Sequence, residues 1–330
     1  VPIISQDIGE RYAIYHSDVM EVLPTLPKES IDLSLYSPPF PELYQYSDDV
    51  RDMTNCVNYD ESIEQYRFVV REVARLTKPG RISCVHCTDL KRGSLYQRDF
   101  PGDVIRVHED CGLHFFCRIT IWKDAWEFAR RTRMKTLRHM QVCEDSANSR
   151  IAPPDYVLVF KKPGKNQVPI PHPQGFKDYV GSREVPPALV RDFANYKGDP
   201  RKNLLSHWIW RQYADPVWDD IRRGRLLPFE QARENVEEKH VCPLQLDVIE
   251  RCLLLWSNPN EVVLSPFMGV GSEVCGALYL GRRAIGCELK ATYYRQAQRN
   301  VKATLEDGRT FEKALPMASD EAEEELVEMD

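Results

Sequence analysis

The chain has 330 residues, 42% of them apolar, with 44 basic and 50 acidic side chains and a formal charge of −6. These values suit one large domain, or a domain with a lobe, and exclude a fibre or a disordered chain; no run reaches the roughly 18 to 20 apolar residues of a spanning helix. Seven of the acids lie in the last eleven residues, which leaves 44 basic against 43 acidic elsewhere, so the body of the chain does not repel nucleic acid.

In chain order, residues 31–36 alternate toward Ser37-Pro38-Pro39 and read as a strand ending in a loop, since proline cannot continue a central ladder. Ile63, Tyr66, Val70 and Val73 recur at helical spacing across residues 60–77, with Ser62 and Gln65 as a capping box and Pro79-Gly80 as the stop. A strand is predicted from Arg81 to Thr88, and further strands at 114–122 and 156–160. Cys84 and Cys87 form the C-x-x-C of the first of these, but residues three apart on a strand face opposite ways. The ten cysteines therefore read as reduced thiols, His86 beside them as a buried histidine, and no metal is expected. The Val1-Pro2-Ile3-Ile4 start has no signal-peptide character, which places the chain in the cytoplasm.

After Lys161 six prolines punctuate a stretch of poor periodicity, followed by Trp208, Trp210 and Trp218, as in a separate lobe or long insertion. Regular structure resumes with a helix at 243–256, a strand at 261–264, a helix after Gly271, a strand at 283–287 and a helix from near Thr292. The alternation predicts an α/β fold.

Two segments carry chemistry. Ser265-Pro266-Phe267-Met268-Gly269-Val270-Gly271-Ser272 runs from a strand through a glycine turn into a helix, where free N–H groups can meet an anion. Glu288 ends the next strand, where an acid accepts from ribose hydroxyls. Val274 stands where a dinucleotide turn has its third glycine, and there is no Gly-Lys-Ser/Thr pair for a triphosphate. S-adenosyl-L-methionine remains as the cofactor. In Ser37-Pro38-Pro39-Phe40 two prolines remove N–H donors, leaving a hydroxyl and a carbonyl as acceptors beside an aromatic ring, a set suited to a planar amine. The residues from Phe128 to Met140 include Arg130, Arg131, Arg133, Lys135 and Arg138 without an acid, a candidate phosphate-binding run.

With an early Ser-Pro-Pro-Phe and a late glycine turn, the chain resembles the permuted, β-group DNA methyltransferases that modify cytosine N4 or adenine N6. Four other segments agree: Tyr15-His16-Ser17-Asp18, Leu76-Thr77-Lys78-Pro79-Gly80, Lys239-His240-Val241-Cys242-Pro243-Leu244-Gln245-Leu246, and Ala284-Ile285-Gly286-Cys287-Glu288-Leu289. The resemblance implies a Rossmann-like class I methyltransferase fold, a mixed, mainly parallel sheet with helices on both faces. It divides the chain into a catalytic half (1–164), a target-recognition region (165–236), a cofactor-binding half (237–313) and an acidic tail (314–330). It makes Ser37, Pro38, Pro39 and Phe40 catalytic, and Asp18, Pro266, Phe267, Gly269, Gly271, Ser272, Glu288 and Leu289 cofactor-binding, with Asp18 at the adenine. Double-stranded DNA is the implied partner, and a homodimer is allowed because such enzymes often pair. Ser at the head of the catalytic turn points to cytosine N4 within the family, and a hydroxyl could also donate to cytosine N3. Two departures, Ser265 for the usual aspartate and Ser272-Glu273 for a small pair, put cofactor affinity in question and keep a catalytically inactive DNA-binding homologue as the alternative. An RNA or protein amine methyltransferase is the third reading.

Overall fold

The computed structural model describes residues 3–41, 53–56, 58–93, 96–126, 128, 139–229, 232 and 243–306. Its strands are β1 (Ser5–Ile8), β2 (Tyr12–His16), β3 (Ile31–Tyr36), β4 (Thr77–Thr88), β5 (Leu90–Arg92), β6 (Tyr96–Arg98), β7 (His114–Ile121), β8 (Asp155–Lys161), β9 (Val217–Trp218), β10 (Val262–Ser265) and β11 (Arg283–Glu288). All but β5 and β6 join one sheet in the order β1-β2-β11-β10-β3-β4-β8-β7-β9. The run β2-β11-β10-β3-β4 is parallel, so these five strands end on the same edge. Every residue of β3 is buried, as expected of a central strand covered on both faces.

Two apolar clusters sandwich the sheet. Leu33, Leu35, Cys84 and Val263 face helices α7 (Leu246–Trp256), α8 (Ser272–Tyr279) and α9 (Ala291–Glu306). Tyr36, Val85, Cys87 and Leu264 face α2 (Tyr59–Leu76) and α3 (Phe100–Asp110). Cys84 and Cys87 thus fall on opposite sides, as their spacing requires. The short α1 (Val19–Val22) follows β2, and α4 (His139–Glu144) precedes β8.

The start of α2 differs from the sequence reading. Asn58, in extended conformation, caps the helix by accepting from the Glu61 amide at 2.9 Å, while Ser62 sits inside the first turn and donates to the Met53 and Asn58 carbonyls. An asparagine upstream supplied the acceptor first, so the Ser62/Gln65 box is not used. Pro79-Gly80 likewise does not follow the helix as a loop. Both lie within β4, at a register shift where Ile31 pairs with Thr77 and Leu33 with Ile82. Gly80 has φ +75°, so a proline and a left-handed glycine occupy an irregularity that needs no regular ladder.

The proline-rich stretch builds α5 (Pro187–Asn195) and α6 (Leu204–Ala214), whose Leu205, Ile209 and Tyr213 form a cluster of their own with Leu254 and Leu255 of α7 packed against it. It also extends the sheet, because β9 pairs in parallel with β7 and Trp218 is 1% exposed. Arg251 of α7 ties the two parts together. Its guanidinium is fully buried, pairs with Asp220 at 2.6 Å, donates to the Val180 carbonyl and lies over the rings of Tyr213 and Trp218. No described helix is long and apolar enough to cross a membrane.

Candidate active site

The two chemical segments, more than two hundred positions apart, hang from neighbouring strands. Val263 pairs with Leu33 and Leu264 with Ser34 in parallel, so the glycine turn after β10 and the Ser37 turn after β3 open on one edge. Side chains join them directly: the Phe267 ring lies 5.9 Å from that of Tyr36, the residue before Ser37. The Tyr36 hydroxyl is held by Tyr66 and His108, each at 3.2 Å. Burial pushes His108 down to about 4, so its ring stays neutral and stacks on Phe160 at 4.0 Å. The face of β3 that carries Tyr36 is therefore packed against neutral rings beneath the turn.

On the cofactor side, Gly269 and Gly271 have φ +53° and +88°, values that disfavour any side chain. A Cβ on Gly269 would meet nothing within 4 Å, so the turn borders open space there. The Glu288 carboxylate accepts from the Gly269 amide at 3.0 Å and from the Lys290 amide at 2.8 Å, which fixes it beside the turn. A carboxylate has about four acceptor sites, enough to serve ribose hydroxyls as well. Asp18 caps α1 through the Met20 amide at 2.8 Å and follows β2, whose His16 is in register with Glu288. The Leu289 carbonyl is bonded to His16 Nε2 at 3.0 Å. Ser272 Oγ is buried with no partner among the described residues, at the start of α8, where a carboxylate would find a hydroxyl and helix amides together. These features fit S-adenosylmethionine.

The two departures from the family pattern touch each other. Ser265 Oγ donates to Glu273 Oε2 at 3.5 Å, so the acid missing from the strand end is supplied eight residues later, on α8. Burial pushes the Glu273 carboxyl up to about 8, against smaller opposing effects of its own backbone and Ser265. A raised folded-state value means that the fold keeps a proton the unfolded chain loses above its ordinary 4.5. Stability should therefore fall as pH rises from about 4.5 to about 8 and level off beyond. Glu273→Gln should flatten that decline, gaining on the order of a few kcal/mol over wild type at pH 8.5, read by denaturant unfolding at pH 5 and 8.5. Equal pH slopes in the two proteins would refute the assignment.

Beside Ser37 the structure places His86, expected from the sequence only as a buried histidine, and two residues the sequence reading did not single out, Asp155 and Lys123. Ser37 Oγ is 3.0 Å from His86 Nδ1, His86 Nε2 is 3.4 Å from Asp155 Oδ2, and Asp155 Oδ1 receives Lys123 Nζ at 2.5 Å. The 3.4 Å contact is an ion-pair distance rather than an aligned hydrogen bond. Burial alone would raise Asp155, but Lys123 and His86 hold its carboxyl well below the usual range. The usable signal was register: Tyr36 pairs with Val85, so the next residue on each parallel strand, Ser37 and His86, must be neighbours. Phe40 stands edge-on to Phe100 at 6.0 Å. The run Arg130, Arg131, Arg133, Lys135 and Arg138 lies outside the described residues. Among the described residues no group of three or more metal-ligating side chains gathers.

A family model described as DNA methylase, for N6 and N4 methyltransferases, matches residues 31–299, most of the chain. The chain belongs to that DNA methylase family. The methylase is 24% identical over 303 residues to the Type II methyltransferase M.BglII of Bacillus subtilis, covering 90% of its own length and 71% of the relative's. TTHA0409 of Thermus thermophilus, solved in complex with S-adenosyl-L-methionine, superposes with a TM-score of 0.55 at 21% identity, over 88% of the methylase and 96% of that chain. The cytosine-N4-specific PvuII DNA methyltransferase gives 0.54 at 14% identity, over 92% and 93%. The fold is thus the Rossmann-like class I methyltransferase fold, and the methylase is an S-adenosylmethionine-dependent enzyme acting on DNA.

Proposed function

We propose that the methylase transfers a methyl group to the exocyclic amine of a base drawn out of double-stranded DNA, cytosine N4 ahead of adenine N6. The observation that supports this most is the shared edge: the amine-accepting turn and the cofactor turn project from adjacent parallel strands. When bound, S-adenosylmethionine supplies a methyl carbon on a positively charged sulfur. The chain's residues then act as follows. Asp18 meets the adenine, Glu288 the ribose, and Ser272 with the first amides of α8 the methionine carboxylate, while Pro266, Phe267, Gly269, Gly271 and Leu289 shape the walls. Ser37 Oγ and the Pro38 carbonyl accept the two amine hydrogens, Pro39 stiffens the turn, and Phe40 stacks on the base, offsetting the few kcal/mol that extraction costs. Two acceptors on those hydrogens turn the nitrogen lone pair toward the methyl carbon.

The basic run at 130–138 is the proposed phosphate contact and residues 165–236 the proposed recognition region. The likeness to a Type II methyltransferase supports a modification role beside a restriction enzyme, in the cytoplasm. Adenine N6 gains as a second reading from one observation. If His86 takes the Ser37 hydroxyl hydrogen, the serine no longer donates to cytosine N3, and an amine acceptor serves both bases equally. Incubation of mixed-sequence DNA with labelled cofactor, then nucleoside digestion and mass spectrometry, names the base. N4-methylcytosine is expected, N6-methyladenine would establish the second reading, and no methylated nucleoside would refute both. In that last case saturable cofactor binding by calorimetry separates a silent DNA-binding homologue from an RNA or protein methyltransferase.

A further inference from the structure

We propose that His86 is the positioning residue for Ser37 and the acceptor of the proton that the methylated amine must shed, working through the serine hydroxyl. This rests on the reading of Ser37 as the amine-binding residue. Four strand ends build the array: Ser37 follows β3, His86 lies near the end of β4, Asp155 opens β8, and Lys123 comes just past β7. His86 is 9% and Asp155 5% exposed, so water does not substitute freely for either contact.

Electrostatics fix the direction of the array. Asp155, paired with Lys123, stays anionic, and an anion facing Nε2 selects the tautomer that carries hydrogen there. Nδ1 then presents its lone pair 3.0 Å from Ser37 Oγ and takes the hydroxyl hydrogen. The serine oxygen is left facing the cleft as an acceptor, which is what an amine hydrogen needs. Among the described residues the charged group paired with His86 is Asp155, itself paired with Lys123; Asp89 and Arg118 act instead on Cys87 and Tyr156, and Cys87 points to the other face of β4.

In the transfer, the amine nitrogen uses its lone pair to form the N–C bond while the C–S bond breaks and its electrons stay on sulfur. The nitrogen now carries a positive charge and one hydrogen too many. That proton passes to Ser37 Oγ as the serine's own proton passes to Nδ1, and the N–H electrons return to nitrogen as a lone pair. His86 ends as a cation between Ser37 and the Asp155 carboxylate, and returns to neutrality by losing the Nδ1 proton to solvent. A serine hydroxyl alone is too weak a base to hold that proton; an imidazole is not.

The test has two arms. In the protein without cofactor, ¹⁵N spectra of the histidine rings should show His86 with hydrogen on Nε2 and a bare Nδ1, assigned by loss of the signals in His86→Gln; hydrogen on Nδ1 alone would overturn the proposal. In single-turnover methylation of DNA, His86→Gln, which can hydrogen-bond to Ser37 but cannot take a proton, should lose roughly 100-fold or more in rate and lose the acid limb of the pH–rate profile. Cofactor and DNA affinity should stay within about threefold of wild type, and Asp155→Asn should lower the rate in the same direction. A His86→Gln enzyme with wild-type rate and acid limb overturns the proposal while leaving the amine reading intact. A wild-type protein that methylates no DNA overturns the amine reading itself. Should His86→Gln not fold, the ring spectra and Asp155→Asn decide.

Discussion

Ser37→Ala should abolish most methyl transfer, by roughly 100- to 1,000-fold in single-turnover rate, while S-adenosylmethionine binding measured by calorimetry stays near wild type. The hydroxyl is the side-chain acceptor the Ser37 turn offers to an amine, and without it the Pro38 carbonyl is left to hold one amine hydrogen alone. Phe40→Ala should act in the same direction but more weakly, since it removes a stacking surface and leaves both acceptors. Neither residue supports the glycine turn: that contact runs through Tyr36 and Phe267. If both variants lost cofactor affinity as much as rate, the division between an amine-binding turn and a cofactor turn would be wrong.

The largest effect on stability is expected at Arg251. Arg251→Met keeps most of the side chain's bulk but leaves Asp220 buried, at 4% exposure, without its guanidinium, and strips two donors from the Val180 carbonyl. Removal of one member of a buried pair costs about 3–5 kcal/mol. Denaturant unfolding should show that loss, and proteolysis should cut first within residues 165–236, whose helices are held to α7 by this arginine. Asp220→Asn combined with Arg251→Met should recover part of it, because the buried carboxylate that lost its nearest guanidinium, and kept only the Tyr179 hydroxyl and the more distant Arg183 among the described residues, is then neutral. A midpoint unchanged in the single variant would show that the guanidinium contributes nothing net.

Much of this was legible before any coordinates. Strands β3, β8, β10 and β11 were read to within a residue or two, because long apolar runs flanked by proline and glycine leave few alternatives. The glycine turn, Glu288 and the Ser37 turn were found for the same reason: each needs residue types whose local chemistry is explicit. Competing local choices were less legible. Asn58 and Ser62 are both good caps four residues apart, and only packing decides between them. Pro79-Gly80 punctuates a helix and an irregular strand equally well, and the register shift that accommodates it depends on β3. Least legible were His86, Asp155 and Lys123, which are distant in sequence and individually ordinary. Their meaning comes from three strand ends converging, a property of pairing order that no single segment carries.

That pairing order has a consequence for how the reaction distance is kept. Neighbouring strands are held about 4.8 Å apart by backbone hydrogen bonds, so the ladder between β3 and β10 acts as a ruler between donor and acceptor. Because alternate residues face opposite ways, a single codon gained or lost within β3 would turn the serine away from the cleft, whereas many exchanges of its flanking apolar side chains would leave the gap unchanged. The enzyme's tolerance is thus lopsided: broad toward drift in composition, narrow toward any change in count.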